Sequence, residues 1–375
     1  MSLIPESQPT SNSVDRYRRQ SAYGNLGKAG QERLRNSRIA IVGIGALGSV
    51  IAERLGRMGI GTIRLIDRDW VEWDNLPRQT LFDEHDAEQR LPKAIAAESH
   101  LRAINSDVHW EAHVCDLVAS NAVELLRGFD LILDGTDNFE TRFLINDVSL
   151  ELGIPWVHGG CIGATGQVMG IVPGVTACFR CLMPDPPPAD QMATCDSAGV
   201  LGPAVSIVAS WQAMEAIKIL TRPRSQETNS SKADDRCELI TFDMWSNEVR
   251  KIFLSPVRPS GNQTSPNTHE PLALAAGCPA CYEGRRDFLH GDRSSLVQVL
   301  CGRNAVQIQS ASPGKVDLGR LADRLRADGN LTLNPFLLRF EAQNLTMSVF
   351  TDGRAIVAGT EDPSVARRFL THWLG

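Results

Sequence analysis

The feature that most constrains the fold is a short apolar run, residues 38–42, followed at once by closely spaced glycines. The glycines of this turn are Gly43, Gly45 and Gly48. A helical pattern continues to Arg57, and a second apolar run starts at Thr62 and ends in Asp67. This order of strand, glycine turn, helix and strand predicts a right-handed βαβ unit of a parallel sheet.

The same pattern recurs further along the chain, where apolar runs again end in polar residues. Asp134 follows residues 131–133, and His158 follows residues 155–157. The repetition predicts an α/β fold with a doubly wound, Rossmann-like, mostly parallel sheet. The longest apolar stretch, residues 200–220, carries Glu215 and Lys218, which favours a buried amphipathic helix over a membrane span.

The glycine turn also predicts a nucleotide site. Glycines let a phosphate approach the backbone, and the N–H groups that open the next helix bind anions. The candidate residues at the turn are Gly43, Gly45, Ala46 and Gly48. Asp67 lies 19 residues after Gly48, where a carboxylate would accept hydrogen bonds from ribose hydroxyls. Because NAD is the commonest ligand of this pattern, an NAD-dependent oxidoreductase is one alternative.

Two cations after the second strand favour ATP over a dinucleotide. Arg78 lies in an N-L-P-R-Q run that starts at Asn75, and Lys93 follows a proline on the next helical segment. A triphosphate needs more positive charge for its neutralisation than a pyrophosphate does. Each cation alone would also fit a surface ion pair.

The D-G-T-D-N run that begins at Asp134 predicts a magnesium site. The run sets the carboxylates of Asp134 and Asp137 at the end of a buried strand, where Mg²⁺ bound to phosphates would need them, and Asn138 beside them is a further candidate for cofactor binding. The alternative for Asp137 is a helix N-cap.

Two C-x-x-C pairs predict a zinc site. The four cysteines are Cys178, Cys181, Cys278 and Cys281. Four thiolates suit a tetrahedral structural Zn²⁺ ion and leave no open position for catalysis. Because 96 residues separate the pairs, the ion would join two distant segments. A redox pair or unmetallated thiols are the alternatives.

Cys195 is a candidate nucleophile, because it lies in the polar run A-T-C-D-S-A-G. An unreactive loop thiol fits this context equally well. The remaining cysteines with no such context are interpreted as structural, namely Cys115, Cys161, Cys237 and Cys301.

Changes in composition along the chain predict three regions. Residues 1–14 are rich in Ser, Pro and Asn and are expected to form a disordered tail. Residues 15–290 hold the nucleotide and cysteine motifs, with surface loops expected at 223–236 and 255–271. Residues 291–375 alternate strand and helix patterns, which predicts a small α+β domain.

Charge and the N-terminal sequence argue against several classes of function. The net charge of −6, with no basic cluster, argues against a nucleic-acid partner. Since the first residues have neither a basic nor an apolar signal region, we expect no signal peptide, no membrane partner and a cytoplasmic location.

Together the motifs resemble the ThiF/MoeB adenylyltransferases, relatives of the ubiquitin-activating enzymes, over residues 17–283. The resemblance rests on R-Y-x-R-Q near the N-terminus, G-x-G-A-L-G, Asp67, N-L-x-R-Q, P-K, D-G-T-D-N and the paired C-x-x-C. Residues 159–166 and the run that begins at Cys195 are more similar to ThiF than to MoeB.

The resemblance implies that ATP adenylates the C-terminal glycine of a ubiquitin-like sulfur-carrier protein ending in Gly-Gly, after which the acyl-adenylate accepts sulfur. A ThiS-type carrier and thiamin biosynthesis are expected, with a MoaD-type carrier in molybdopterin biosynthesis as the alternative. It implies that Asp67 holds the ribose and that Asp137 binds Mg²⁺. The phosphate ligands that it implies are Asn75, Arg78 and Lys93.

The resemblance also implies a homodimer, in which Arg19 reaches the ATP of the partner protomer; a solvated helix end is the alternative for this basic stretch. Cys195 stands at the family's position for a thioester or persulfide linkage. The sulfur donor would be a cysteine desulfurase or a rhodanese-type protein. Two further alternatives are an enzyme that activates a carboxyl group of RNA and a non-catalytic scaffold.

The C-terminal region departs from relatives that carry a rhodanese-like domain, because it has no C-x-x-G-x-R loop around Cys301. The chain ends in Leu-Gly and not in Gly-Gly, which argues against a fused carrier. Our hypothesis for this region is a docking domain for the carrier or the sulfur donor.

Overall fold

The computed structural model describes residues 16–187, 198–222, 237–254, 277–290, 297–300, 304–308, 316–351 and 353–374. The chain forms two compact units: Met1–Pro188 with Val200–Asp292, and Ala189–Gly199 with Arg293–Gly375. The expected tail at residues 1–14 and the expected loops at 223–236 and 255–271 lie outside the described residues.

An eight-stranded sheet forms the centre of the first unit, in the order β3-β2-β1-β4-β5-β6-β7-β8. Its strands are β1 Arg38–Val42, β2 Thr62–Asp67, β3 His109–Val114, β4 Leu131–Asp134, β5 Trp156–Ile162, β6 Thr165–Ile171, β7 Cys237–Asp243 and β8 Glu248–Leu254. The strands from β3 to β5 pair in parallel, which confirms the predicted Rossmann-like sheet. The strands from β5 to β8 pair antiparallel, an extension that we did not predict.

Helices cover both faces of this sheet. They are α1 Arg18–Ser21, α2 Gly27–Asn36, α3 Ala46–Arg57, α4 Glu84–Glu88, α5 Lys93–Ile104, α6 Ala119–Leu126, α7 Phe139–Leu152, α8 Phe179–Leu182 and α9 Gly202–Thr221, with a 3₁₀ turn at Trp73–Asn75. The core of one face is built from α3, α5 and α9, and the core of the other from α6 and α7.

Successive side chains of β1 alternate between the two cores. Ile39 and Ile41 pack into one core, and Ala40 and Val42 into the other. The helices after β1 and β2 lie on one face and those after β3 and β4 on the other. The strand order therefore reverses between β1 and β4, and in such sheets ligands bind in the crevice at this switch point.

Helix α9 confirms the predicted buried helix. One side of it, which includes Val205, Val208 and Gln212, is buried against the sheet. No helix in the described part of the chain is long and apolar enough to cross a membrane.

The second unit contains a six-stranded antiparallel sheet in the order β11-β12-β13-β14-β10-β9. Its elements are β9 Val297–Leu300, β10 Ala305–Ile308, α10 Leu318–Leu325, β11 Asn330–Leu333, β12 Leu337–Ala342, β13 Leu345–Phe350, β14 Ala355–Ala358 and α11 Pro363–Leu374. Apolar side chains of both helices, among them Leu321 and Phe369, share one core with Phe340 and Val349 of the sheet. This is the predicted small α+β fold, although we did not predict β9 and β11.

Candidate functional site

The turn between β1 and α3 is so tight that two of its glycines have no room for a side chain. Gly43 has a φ of +84°, which L side chains rarely adopt. A Cβ on Gly43 would lie 2.7 Å from the carbonyl oxygen of Gly135, and a Cβ on Gly48 would lie 1.8 Å from the carbonyl oxygen of Gly43. The loops after β1 and β4 therefore meet at the switch point.

No side chain of the described residues caps the N-terminus of α3. Gly45 is its N-cap and has no side chain that could bond the first N–H groups, and the helix begins at Ala46. Among the residues that the structure describes, a Cβ on Gly45 would have only the Nε2 atom of Gln79 within 4 Å, at 3.9 Å. The first N–H groups of a helix are anion ligands, so the turn offers a phosphate site of the predicted kind.

Asp67 is buried at the carboxyl end of β2, next to this turn. Its Oδ2 atom accepts a hydrogen bond from the backbone N–H of Ile44 at 2.6 Å, and its Oδ1 atom accepts one from that of Asp69 at 2.7 Å. Burial raises the pKa of the Asp67 carboxyl above its ordinary value, and the Lys93 ammonium opposes this effect. Each oxygen has a second lone pair, so the carboxylate can still accept from ribose hydroxyls.

Lys93 is the first residue of α5 and is only 4% exposed. Its Nζ atom lies 3.5 Å from Oδ2 of Asp69, and its backbone N–H donates to the Asp69 carbonyl oxygen at 2.8 Å. Burial excludes the alternative of a surface ion pair for this residue. A buried ammonium near Asp67 attracts the negative charge of a phosphate strongly.

The N-L-P-R-Q run begins at the last residue of the 3₁₀ turn, between β2 and α5. Asn75 is buried, and its Oδ1 atom accepts from the backbone N–H of Glu72 at 3.2 Å. Arg78, in the turn that follows, donates to the Asp74 carbonyl oxygen. The two candidates thus lie three residues apart, after β2 and before Lys93.

Asp134 does not serve as an open ligand, because it is fully buried in a polar network. Its Oδ1 atom accepts from the N–H and hydroxyl of Thr136, at 2.9 and 2.7 Å. Its Oδ2 atom accepts from Nε of Arg142 at 3.2 Å and from Nδ1 of His158 at 2.9 Å. Burial alone would raise the pKa of Asp134, but Arg142 and His158 bring it below its ordinary value.

The other two candidates of this run, Asp137 and Asn138, have different surroundings. Asn138, rather than Asp137, is the N-cap of α7: its Oδ1 atom accepts from the backbone N–H of Thr141 at 2.9 Å. Asp137 is exposed. The loop after β4 therefore presents Asp137 as a carboxylate that a phosphate-bound cation could reach.

The four cysteines of the paired C-x-x-C motifs form one cluster. The sulfur–sulfur distances are 3.8 Å from Cys178 to Cys181, 3.6 Å from Cys178 to Cys278 and 3.4 Å from Cys181 to Cys281. All four sulfur atoms lie within 4.8 Å of one another. Zn–S bonds of about 2.3 Å in a tetrahedron place the sulfur atoms about 3.8 Å apart, so the cluster fits a four-thiolate Zn²⁺ site.

Comparison with known proteins decides the family. The ThiF family matches residues 17–263, more than half of the chain. The chain belongs to the ThiF family. It is similar to the sulfur carrier protein ThiS adenylyltransferase of Bacillus subtilis (strain 168), at 39% identity over 96% of this chain and 99% of that protein. It is also similar to a sulfur carrier protein adenylyltransferase of Thermus thermophilus, at 39% identity over 56% of this chain and 79% of that protein.

Solved structures show the same fold at low identity. The crystal structure of E. coli MccB with ATP has a TM-score of 0.54 and 21% identity, and the match covers 68% of this chain and 74% of that chain. That likeness bears on the fold alone.

Two candidates of this ThiF-family chain are not found at its glycine turn. Arg19 lies far from the turn, and Cys195 belongs to a segment that the structure does not describe. Arg19 is exposed on α1, which is anchored where Nε2 of Gln20 donates to the Met58 carbonyl oxygen at 2.8 Å. Met58 follows the far end of α3, about 18 Å along the helix from the turn. Cys195 lies outside the described residues.

We did not predict two groups of residues that the ThiF-family fold brings to this region. Gln79 is 4% exposed, and its Oε1 atom has no hydrogen-bond partner in the described part of the chain. Its position directly after Arg78 was the signal that could have found it. Arg142 carried no local signal. His158 was expected at the carboxyl end of a strand, but β5 continues to Ile162 and His158 is fully buried within it. The burial of Arg142 and His158 beside Asp134 arises only when β4, β5 and α7 pack together.

Proposed function

We propose that this chain uses ATP to adenylate the C-terminal glycine of a ThiS-type sulfur-carrier protein, for sulfur transfer in thiamin biosynthesis. The observation that carries this proposal is the match to the Bacillus subtilis protein, which spans 96% of this chain and 99% of that protein. The match includes the second unit as well as the nucleotide-binding unit. It therefore favours the same class of substrate over the other adenylating enzymes of this fold.

The residues of the site suit this chemistry. A carboxylate oxygen of the carrier's last glycine attacks the α-phosphorus of ATP, the bond to the β-phosphate oxygen breaks, and pyrophosphate leaves. The carrier is already the nucleophile, so no protein base is needed. Rate enhancement then comes from positioning and from neutralisation of phosphate charge.

Each group near the turn has a distinct task in this proposal. Asp67 orients the ribose, and the N-terminus of α3 binds phosphate oxygens. The side chains that bind the phosphates are Asn75, Arg78 and Lys93, of which the two cations neutralise phosphate charge. Asp137 would hold Mg²⁺, which screens the charge of the leaving pyrophosphate when it is bound. Zn²⁺ in the cysteine cluster has a structural task, because four thiolates leave no open position.

A homodimer completes the site in this proposal. Arg19 lies at the opposite end of α3 from the glycine turn of its own chain, so it serves a phosphate only across a subunit interface. Helix α9, whose inner side packs against α3, exposes Ile207 and Met214 by 46% and 48%, with Trp211 between them. We assign this apolar face to the contact with a second copy.

We also propose how sulfur transfer follows adenylation. A sulfur nucleophile attacks the acyl carbon of the adenylate, a C–S bond forms and AMP leaves. Cys195 is the candidate for a covalent linkage to the carrier, and a cysteine desulfurase or rhodanese-type protein is the sulfur donor. A cytoplasmic location agrees with thiolates that must stay reduced to bind metal.

ATP–pyrophosphate exchange by the purified, zinc-loaded protein tests the function. We expect exchange that requires a Gly-Gly carrier of the ThiS type and is lost in Lys93→Ala. Lys28→Ala, at an exposed position on α2, is the matched control and should exchange normally. Exchange with a MoaD-type carrier alone would assign the other pathway. Absence of exchange with both carriers would contradict adenylation.

A further inference from the structure

Asn105 is a buried polar residue that has no task in the proposed chemistry. It directly follows the last residue of α5 and is only 1% exposed. Its Nδ2 atom donates to the hydroxyl of Tyr17 at 2.8 Å and to the Gly56 carbonyl oxygen at 2.7 Å. Its Oδ1 atom accepts from Nη1 of Arg16 at 2.5 Å. One side chain therefore joins the N-terminal segment, residues 16–21, to the C-terminal ends of α5 and α3.

The ring of Tyr17 packs closely against the turn that follows α3. A Cβ on Gly59 would lie 2.5 Å from Cζ of Tyr17, so any larger residue there would displace the ring. In the same turn, the Met58 carbonyl oxygen accepts the bond from Nε2 of Gln20. Arg19 itself is exposed. Contacts on both sides of Arg19 in the sequence therefore determine where its guanidinium lies.

Both helices that hold the N-terminal segment begin at the nucleotide site. Helix α3 starts at the glycine turn, and α5 starts at Lys93. Each has 12 residues and is therefore about 18 Å long. The segment lies at the ends of these helices that are remote from the site of its own chain, so any phosphate that Arg19 contacts belongs to another protomer.

Resting on the proposed function, in which Arg19 serves the ATP of the partner protomer, we infer that Asn105 and Tyr17 are positioning residues for Arg19. Their hydrogen bond and the packing of the Tyr17 ring hold α1 in place before the nucleotide binds. A guanidinium on a long side chain neutralises a developing charge only when its backbone is fixed, because a displacement of about 1 Å can cost about 10²-fold in rate.

Mixing of homodimers of single variants tests the inference, with ATP–pyrophosphate exchange as the readout. Asn105→Ala alone should lose about 10- to 100-fold in rate. Mixed with Lys93→Ala, it should recover about a quarter of the wild-type rate, because the intact site of its own chain then receives Arg19 from a chain with Asn105. Mixed with Arg19→Ala, it should recover nothing, because neither site receives a well-placed Arg19. The matched control Arg18→Ala, an exposed cation on the same helix, should exchange normally.

Calorimetric titration with ATP separates this inference from the proposed function. Asn105→Ala and Arg19→Ala should weaken ATP binding by similar factors, and the double variant should bind ATP no more weakly than Arg19→Ala alone. If the wild type bound ATP without carrier-dependent exchange, only the function would fail, and these affinities would still test the inference. If the wild type bound no ATP, both would fail.

Three results would overturn the inference. Recovery with Arg19→Ala but not with Lys93→Ala would mean that Asn105 supports the site of its own chain through α5. A further loss of ATP affinity in the double variant would mean that Asn105 does not act through Arg19. Normal exchange by Asn105→Ala would mean that α1 needs no such anchor. Thermal melting of each variant verifies folding, and Tyr17→Ala, which leaves the bond from Asn105 to Gly56, replaces Asn105→Ala if that variant does not fold.

Discussion

The buried guanidinium of Arg142 offers the sharpest test of how the site is held. Besides its bond to Asp134, it donates to the carbonyl oxygens of Thr136 and Gly159, at 2.7 and 3.3 Å. It therefore joins the end of β4, the loop that carries Asp137, and β5. The substitution Arg142→Met removes these bonds and keeps much of the apolar stem.

The expected loss of stability follows from the Asp134 carboxylate, which remains buried after the substitution. Asp134 has no exposed surface, so the substitution leaves a buried carboxylate without its cationic partner. Breaking a buried ion pair by removal of one partner costs about 3–5 kcal/mol. We expect a loss of this size in the free energy of unfolding at pH 7. The control Arg57→Met breaks an exposed pair with Glu53 and should cost less than about 0.5 kcal/mol.

Urea unfolding measures this difference, with hydrogen exchange of peptides from β4 and β5 to assign the transition to the first unit. The variant should also exchange pyrophosphate more slowly, because the loop around Asp137 loses its anchor. A loss below about 1 kcal/mol, or one no larger than that of Arg57→Met, would refute the view that this network holds the loop.

Four further predictions follow from the site. Cys278→Ser should reduce bound zinc, measured by mass spectrometry of metals, and lower the melting temperature; retention of a full equivalent of zinc would contradict the cluster. Gly48→Ala should cost about 1–3 kcal/mol and abolish ATP binding in calorimetry, since its Cβ meets backbone, and normal ATP binding would argue against the turn as a phosphate site. Burial lowers the pKa of His158, so the unfolded chain takes up a proton first and stability measured by urea titration should fall as the pH drops below about 6.5; His158→Gln should flatten this slope. Mixing inactive Arg19→Ala and Lys93→Ala homodimers should restore about a quarter of the wild-type exchange rate, because a mixed dimer has one intact site; no recovery would place Arg19 in its own chain's site, and full activity of the Arg19→Ala homodimer alone would place it outside any site.

Local patterns explain why the first half of the sheet was predictable. The glycine turn, the run ending in Asp67 and the helix that starts at Lys93 each follow from a few adjacent residues and their periodicity. The strands β6 to β8 depend on antiparallel pairing with a partner strand, which leaves a weak local signal. The short strands β9 and β11 escaped prediction for the same reason.

The site was predictable to the extent that its residues lie in contiguous motifs. The four cysteines could be paired from spacing and ligand type alone. The burial and hydrogen bonding of Asp134 could not be predicted from the D-G-T-D-N run, because its partners Arg142 and His158 come from a helix and a strand further along the chain. Burial of a charged group is a property of the packed fold. Only the structure could therefore distinguish the buried, hydrogen-bonded Asp134 from the exposed Asp137.

Intact-mass measurement of the carrier tests adenylation most directly. A ThiS-type carrier incubated with ATP, Mg²⁺ and this protein should gain one adenylyl group at its C-terminal glycine, with release of one pyrophosphate. A carrier that lacks its last glycine should remain unmodified. If the intact carrier gains no adenylyl group from a folded protein that binds ATP, the proposed reaction is wrong.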